Sequence, residues 1–229
     1  MIKFLRKKTL EDRSLEWTRL MWQDDLWKKV KWLGIPILQW PTDLVIVQEI
    51  VYEQKPKIII ETGTYQGGSA IFFASLLILL NNDGKVISVE KNLTKSVEEK
   101  LKSHSLGEKI ALIKGDSTSA QILDKVKKII GNQTNIMVFL DSDHSCQHVL
   151  NELRIYQQFI PVGGYLCAFD TITKDLYDLP SGSQKWKYDN PHRAVLQFIK
   201  ENGCFQIDKS KNRLLVGFAP DGFLKRIKK

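Results

Sequence analysis

From Lys57 to Asp170 short apolar runs alternate with stretches of helical periodicity. The runs Lys57–Ile60, Lys85–Val89, Ile110–Lys114, Ile136–Leu140 and Tyr165–Phe169 have strand length and are rich in β-branched and aromatic residues. Between them, Gly68–Leu80, Thr94–Ser103, Ser119–Ile130 and Cys146–Phe159 read as helices. Strict alternation of this kind implies βαβ units and a parallel sheet covered on both faces. After a loop, Thr171–Asn190, and a helix near His192–Lys200, the order changes. Phe205–Ile207 and Leu214–Phe218 are separated only by polar Asp208–Arg213, too short for a crossover helix, so they predict an antiparallel hairpin. The expected fold class is α/β: a doubly wound, mostly parallel seven-stranded sheet closed by an antiparallel C-terminal hairpin.

Ahead of this lies a helical arm. Leu15, Trp22, Leu26, Val30 and Leu33 share one face at the 100° per residue of a helix, and Gly34-Ile35-Pro36 stops it. Trp17, Trp27 and Trp32 step by five and point elsewhere, which is packing and not a motif. Pro41-Thr42-Asp43 opens a second helix that runs through Gln54. The expected division is an arm or lid over 1–54 and a ligand-binding domain over 55–229.

Composition narrows the class without naming a chemistry. Hydrophobic residues at 43% and charged residues at 26% are ordinary globular values. The longest apolar run, Ala70–Leu80, falls far short of the roughly 20 residues of a spanning helix. The N-terminal MIKFLRKKTLEDRS has charges but no apolar stretch behind them, so no secretory signal is expected. Cys146, Cys167 and Cys204, odd in number and without CxxC spacing, fit a reducing interior, and a cytoplasmic location is expected. The net charge of +8 comes from lysines scattered over helix faces and from the tail Lys225–Lys229, without the interleaved aromatics of single-strand binders. No nucleic-acid partner is expected on that ground.

The candidate chemistry sits at the strand ends. Each of the five parallel strands runs into an acid: Glu61, Glu90, Asp116, Asp141 and Asp170. In open α/β sheets ligands bind outside the carboxyl ends of the strands, so these acids should converge on one crevice. Like charges raise one another's pKa, and such a cluster makes sense when it receives cations, metal ions or ligand hydroxyls. The first turn, Glu61-Thr62-Gly63-Thr64-Tyr65-Gln66-Gly67-Gly68-Ser69, follows neither the G-x-G-x-x-G of dinucleotide sites nor the P-loop pattern, and no lysine follows to hold a phosphate. A cofactor with an adenosine ribose and a positive centre, S-adenosylmethionine, suits it better. Glu90 would take the ribose hydroxyls, Gly63 and Gly67 would make room for the methionine moiety, and Asp116-Ser117 would lie near the adenine. Thr64, Gly68, Ser69, Glu61 and Asp141 complete the expected cofactor cradle.

The fourth strand ends Leu140-Asp141-Ser142-Asp143-His144-Ser145. Asp141, Asp143 and Asp170 are an oxygen-rich set for a hard divalent ion such as Mg²⁺, with His144 left to take a proton. The competing arrangement makes His144 a ligand of a transition metal. His148, four residues on, is expected to play a surface or packing role.

At this point several segments together become recognisable. Trp32-x-Gly34 with Gln39-x-Pro41-x-Asp43, Glu61-Thr62-Gly63-Thr64 with Gly67-Gly68-Ser69, Asp141–Ser145 with His148-Val149-Leu150 and Glu152-Leu153, and Gly164-Tyr165 leading to Asp170-Thr171 resemble the cephalosporin hydroxylase / rhamnosyl O-methyltransferase family. Pro191–Phe198 and Phe218–Leu224 are also similar to it, so the resemblance covers about residues 15–225. It implies a class I methyltransferase (Rossmann-like) fold, S-adenosylmethionine, usually Mg²⁺, and a hydroxylated sugar or small natural product as acceptor. One departure bears on the metal. The family has Glu-Asp where this chain has Phe169-Asp170, and that glutamate is a metal ligand in the family, so weakened Mg²⁺ binding is expected.

The rivals are a protein that binds S-adenosylmethionine but has lost or altered catalysis, an NAD-dependent oxidoreductase, and an RNA methyltransferase. The missing G-x-G-x-x-G weighs against the second. A homo-oligomer is left open.

Overall fold

The computed structural model describes residues 7–81 and 83–229. Met1–Arg6, the start of the expected arm, lie outside the described residues. The main sheet runs in the order β5 (Ile110–Lys114), β4 (Lys85–Glu90), β3 (Ile58–Thr62), β6 (Ile136–Leu140), β7 (Tyr165–Ala168), β9 (Phe223–Arg226), β8 (Phe205–Ile207). The first five are parallel, and β9 runs antiparallel to both of its neighbours, β7 and β8. All five residues of β3 and of β6 are buried, as expected of central strands covered on both faces.

Strand alternation sorts the apolar residues into two layers. Ile58 and Ile60 of β3, Val138 of β6 and Leu166 of β7 meet α5 (Ala120–Ile130), α6 (Cys146–Tyr156) and α7 (Pro191–Glu201). Ile59, Met137, Phe139 and Cys167 meet α2 (Pro41–Gln54) and α3 (Gly68–Leu79) on the other side. The helix α4 (Lys95–Ser103) contributes Leu101 to a smaller cluster with Ile35 and Ile71. Thr94, Ser119 and Asn190 begin α4, α5 and α7 by accepting from backbone N–H groups with their side chains.

Two expected elements are corrected. The first helix does not continue to Leu33: α1 spans Leu10–Gln23, a 3₁₀ turn covers Leu26–Lys29, and the chain then forms a small hairpin, β1 (Lys31–Trp32) with β2 (Ile35–Pro36). The reason is aromatic packing. The break folds Trp27 back to stack on Trp22 at 4.8 Å, and both rings meet Phe218 edge-on. Second, Leu214–Phe218 is not a strand, and β8 pairs instead with Phe223–Arg226. Its backbone has other partners: Phe218 N donates to Asp43 Oδ2 at 2.6 Å, Thr42 Oγ1 donates to Val216 O, and Phe218 O accepts from Ile172 N at 3.2 Å. Asp43, buried beneath this strap, has its pKa pushed up to about 7 by desolvation.

Among the described residues, no helix is long and apolar enough to cross a membrane.

Candidate active site

The chain leaves β3 for β4 and β5 on one side, then returns to place β6 on the other, so the sheet order switches between β3 and β6. This is where an open α/β sheet forms its crevice. Thr62 and Leu140 are register partners at the two carboxyl ends. The residues that follow them, Gly63 and Asp141, are held in place by Gly63 N donating to Val89 O at 2.8 Å and Asp141 N donating to Thr62 O at 3.0 Å. A cleft of about 700 Å³ opens here, lined among others by Gly63, Thr64, Gly68, Ser69, Glu90, Asp141, His144 and Asp170. A recess of about 150 Å³ shares Gly63 and Glu90 with it and is otherwise walled by Asp116, Ser117, Asp143 and His148.

The glycines do something different from what their spacing suggests. A Cβ on Gly63 would stand 2.0 Å from Asp141 O, and the residue has φ +90°. On Gly67 it would run into Leu101, and on Gly68 it would stand 2.2 Å from Pro36 O. The direction a Cβ would take at each of these glycines is filled by the chain itself, so they let β3, α3 and the arm close upon one another.

The strand-end acids are divided by their surroundings. Glu61 is buried beneath the cleft floor, accepts from Ser88 Oγ at 2.6 Å, and is pushed up to about 7 by desolvation. Thr64 Oγ1 and Ser88 Oγ lie 2.5 Å apart. Glu90 faces the cleft and accepts from the backbone N–H groups of Tyr65 and Asn92 at 2.9 and 2.8 Å. Asp116 accepts from Thr118 and from Lys91 Nζ, which hold it well below the usual carboxylate range.

Asp141, His144 and Asp170 each bring one ligand atom to a common point, all within 4.8 Å of one another. Gln39 Nε2 donates to Asp141 Oδ2 at 2.7 Å, yet burial and the neighbouring Asp170 and Glu61 raise the Asp141 pKa well above its ordinary value. Asp170 is raised as well, chiefly by burial, with His144 acting in the opposite direction. Asp143 does not join this group. Its Oδ1 accepts from Ser145 N at 2.8 Å, and it lines the recess beside His148. The reason is local: as an acid three residues before the first residue of α6, it satisfies a free N–H at that helix's entry.

Of the surface or packing role expected for His148, the structure shows the packing one. Its Nε2 lies 3.0 Å from Ser142 Oγ and 3.4 Å from Glu152 Oε1, and Glu152 is wholly buried. A signal existed in the sequence: Glu152 interrupts the apolar face formed by Val149, Leu150, Leu153 and Tyr156, and an acid on a buried helix face needs a partner.

The family model for Rhamnosyl O-methyltransferase/CmcI matches residues 24–227. The chain belongs to that family.

The rhamnosyl O-methyltransferase of Mycobacterium leprae (strain TN) is 29% identical over 201 residues, covering 85% of this chain and 82% of its own. That of Mycobacterium tuberculosis (strain ATCC 25618 / H37Rv) is 27% identical, covering 86% and 78%. Among solved structures, a CmcI complex with SAH superposes with a TM-score of 0.63 at 16% identity, covering 99% of this chain and 96% of that one. An O-methyltransferase from Bacillus cereus in complex with SAH reaches 0.56 at 17%, covering 99% and 94%. The shared fold is that of class I methyltransferases.

Within this family the position of Phe169 is informative. Phe169 continues the alternation of Tyr165 and Cys167, so its ring enters the layer under α2 and α3 and packs at 6.1 Å from Phe139 and 6.4 Å from Phe223. It carries no donor for a metal. Asp141 and Asp170 remain, and two carboxylates completed by water satisfy the usual protein share of a Mg²⁺ site, so the residues present fit the ion.

Proposed function

We propose that the protein is an S-adenosylmethionine-dependent O-methyltransferase that methylates a hydroxyl of a sugar or small natural product. The observation that carries this reading is the convergence of Asp141, His144 and Asp170 in the same cleft as Glu90 and the Gly63 turn, at the switch point of a methyltransferase sheet. Family membership and the relatives named rhamnosyl O-methyltransferase support the acceptor class.

Methyl transfer is an in-line displacement at a sulfonium carbon, so the protein must align the acceptor oxygen and remove its proton. Glu90, at the end of β4, is placed to accept from the ribose hydroxyls. His144 is the base: it is half-exposed in the cleft, its Nε2–H is directed at Asp170, and Nδ1 is left to take the acceptor's proton. Asp141 and Asp170 would hold Mg²⁺, which when bound lowers the pKa of a coordinated hydroxyl. Gln39, by donating to one oxygen of Asp141, leaves the other free for a ligand.

The test offers S-adenosylmethionine with a panel of rhamnosides and other glycosides and measures formation of the demethylated cofactor. Methylation of a glycoside hydroxyl is the expected result; binding of NAD with indifference to both sulfur compounds would defeat the reading. A second reading, a cofactor-binding protein without turnover, is favoured by Phe169 at a metal-ligand position. It predicts cofactor binding with no product for any acceptor.

A further inference from the structure

His148 and Glu152 form a buried polar network that the reaction at His144 does not use. Glu152 is 0% exposed, and a carboxylate taken so far from water must be heavily compensated. Ser117 Oγ donates to its Oε1 at 2.5 Å and Ser142 Oγ donates to the same atom at 2.8 Å. Its other oxygen, Oε2, has no hydrogen-bond partner among the described residues. The network ties together three separate elements: the loop after β5, the loop after β6, and α6.

The hydrogen-bond polarity of this network fixes the histidine. Each serine has one hydroxyl proton, and both protons are committed to Glu152. His148 Nε2 stands 3.0 Å from Ser142 Oγ, 3.4 Å from Ser117 Oγ and 3.4 Å from Glu152 Oε1, so all three neighbours present lone pairs to it. Nε2 must therefore carry a hydrogen in either protonation state. Nδ1 has no protein partner among the described residues, and the ring forms part of the wall of the recess with Gly63, Glu90, Asp116, Ser117 and Ser142. The carboxylate of Glu152 also holds the imidazole pKa above its ordinary value.

We infer that His148 is the residue that reads the cofactor's purine, with Nε2 anchored on Glu152 and Nδ1 turned to the base in the recess. This rests on the methyltransferase reading, because it takes the recess beside Glu90 as the place of the base. Pairing with the buried carboxylate favours the imidazolium, so the contact is donation from Nδ1–H to a ring nitrogen of the purine. His148 is a specificity-determining residue here, remote from the methyl group and separate from the base His144.

The two nitrogens can be separated by substitution, since a glutamine amide nitrogen overlays Nε2 and an asparagine amide nitrogen overlays Nδ1. The ligands are S-adenosylhomocysteine and S-ribosylhomocysteine, which is the same molecule without the purine, measured by calorimetry. His148→Gln should keep the wild-type melting temperature, weaken S-adenosylhomocysteine by about tenfold, the worth of one charge-assisted hydrogen bond, and leave S-ribosylhomocysteine unchanged. His148→Asn should retain more of the affinity at a lower melting temperature. Equal S-adenosylhomocysteine affinity in His148→Gln and wild type would reduce the network to a structural role and overturn the inference. If wild type ignores S-adenosylhomocysteine altogether, the methyltransferase reading itself fails. Nitrogen-15 spectra of the wild-type protein, which has four histidines, give an answer independent of folding in the variants. S-adenosylhomocysteine, and not S-ribosylhomocysteine, should shift the His148 Nδ1 resonance, and an unmoved resonance would overturn the inference.

Discussion

His144 Nε2 stands 3.2 Å from Asp170 Oδ2, with the aspartate the more buried of the two. A carboxylate at that distance orients the imidazole by holding its Nε2–H, as in other pairs where an acid supports a histidine base. His144→Ala should leave S-adenosylhomocysteine affinity nearly intact while cutting turnover on a hydroxylated acceptor by about 10²–10⁴-fold, the usual share of a general base. Turnover within a few-fold of wild type, measured beside normal cofactor binding, would remove His144 from proton transfer.

Phe169, where the resemblance implies a metal-binding glutamate, is a ring packed into the core. It also borders the small cavity that Asp141 and Gln39 line, so a shorter acidic side chain there is within the neighbourhood of the ion. Phe169→Glu should lower the melting temperature, because it removes buried aromatic surface and brings in a charge. Mg²⁺ should restore part of the loss and bind more tightly than to wild type. Thermal scans with and without Mg²⁺ check this; a loss that Mg²⁺ does not touch would place the new carboxylate away from Asp141.

Gly63→Ala tests the closeness of β3 and β6. With φ +90° and a Cβ 2.0 Å from Asp141 O, the substitution must push Asp141 away. We expect a loss of about 2–4 kcal/mol in unfolding free energy, from steric overlap and backbone strain together. Cofactor affinity should fall in the same variant, as calorimetry would show.

Glu61 gives a pH dependence with a definite sign. Its pKa in the folded protein is pushed up to about 7, so the native state holds a proton that the unfolded chain has already released above about pH 4.5. Stability from this group is present at low pH and is lost as pH rises toward 7. Glu61→Gln should remove a slope worth up to about 3 kcal/mol between pH 4.5 and 8. Asp43 and Asp141 shift in the same direction, so denaturant melts of wild type will still slope, and the difference between the two proteins isolates Glu61. Parallel curves for the two would refute the assignment.

Much of the site was legible because local rules set it. Strand period and length place the five parallel strands, and an acid directly after a parallel strand must emerge at the same edge of the sheet as its counterparts. Asp141 and Asp170 meet for that reason, and His144 joins them from the loop that Asp141 begins. The sequence could not tell Asp143 from Asp141, since which of two acids in one loop faces the cleft depends on where α6 begins and which N–H needs a partner.

The sequence by itself determined the sheet, its mostly parallel order, the acid-lined edge and the family. Only the tertiary structure decided three other things, each through contacts between segments distant along the chain. It chose Phe223–Arg226 over Leu214–Phe218 as the partner of β8, because Asp43, Thr42 and Ile172 take the backbone of the nearer segment. It ended α1 at Gln23 so that Trp27 could stack on Trp22. It joined His148 and Glu152 to Ser117 and Ser142, a network whose members lie on different elements and whose hydrogen-bond polarity appears only when they meet in a site from which water is excluded.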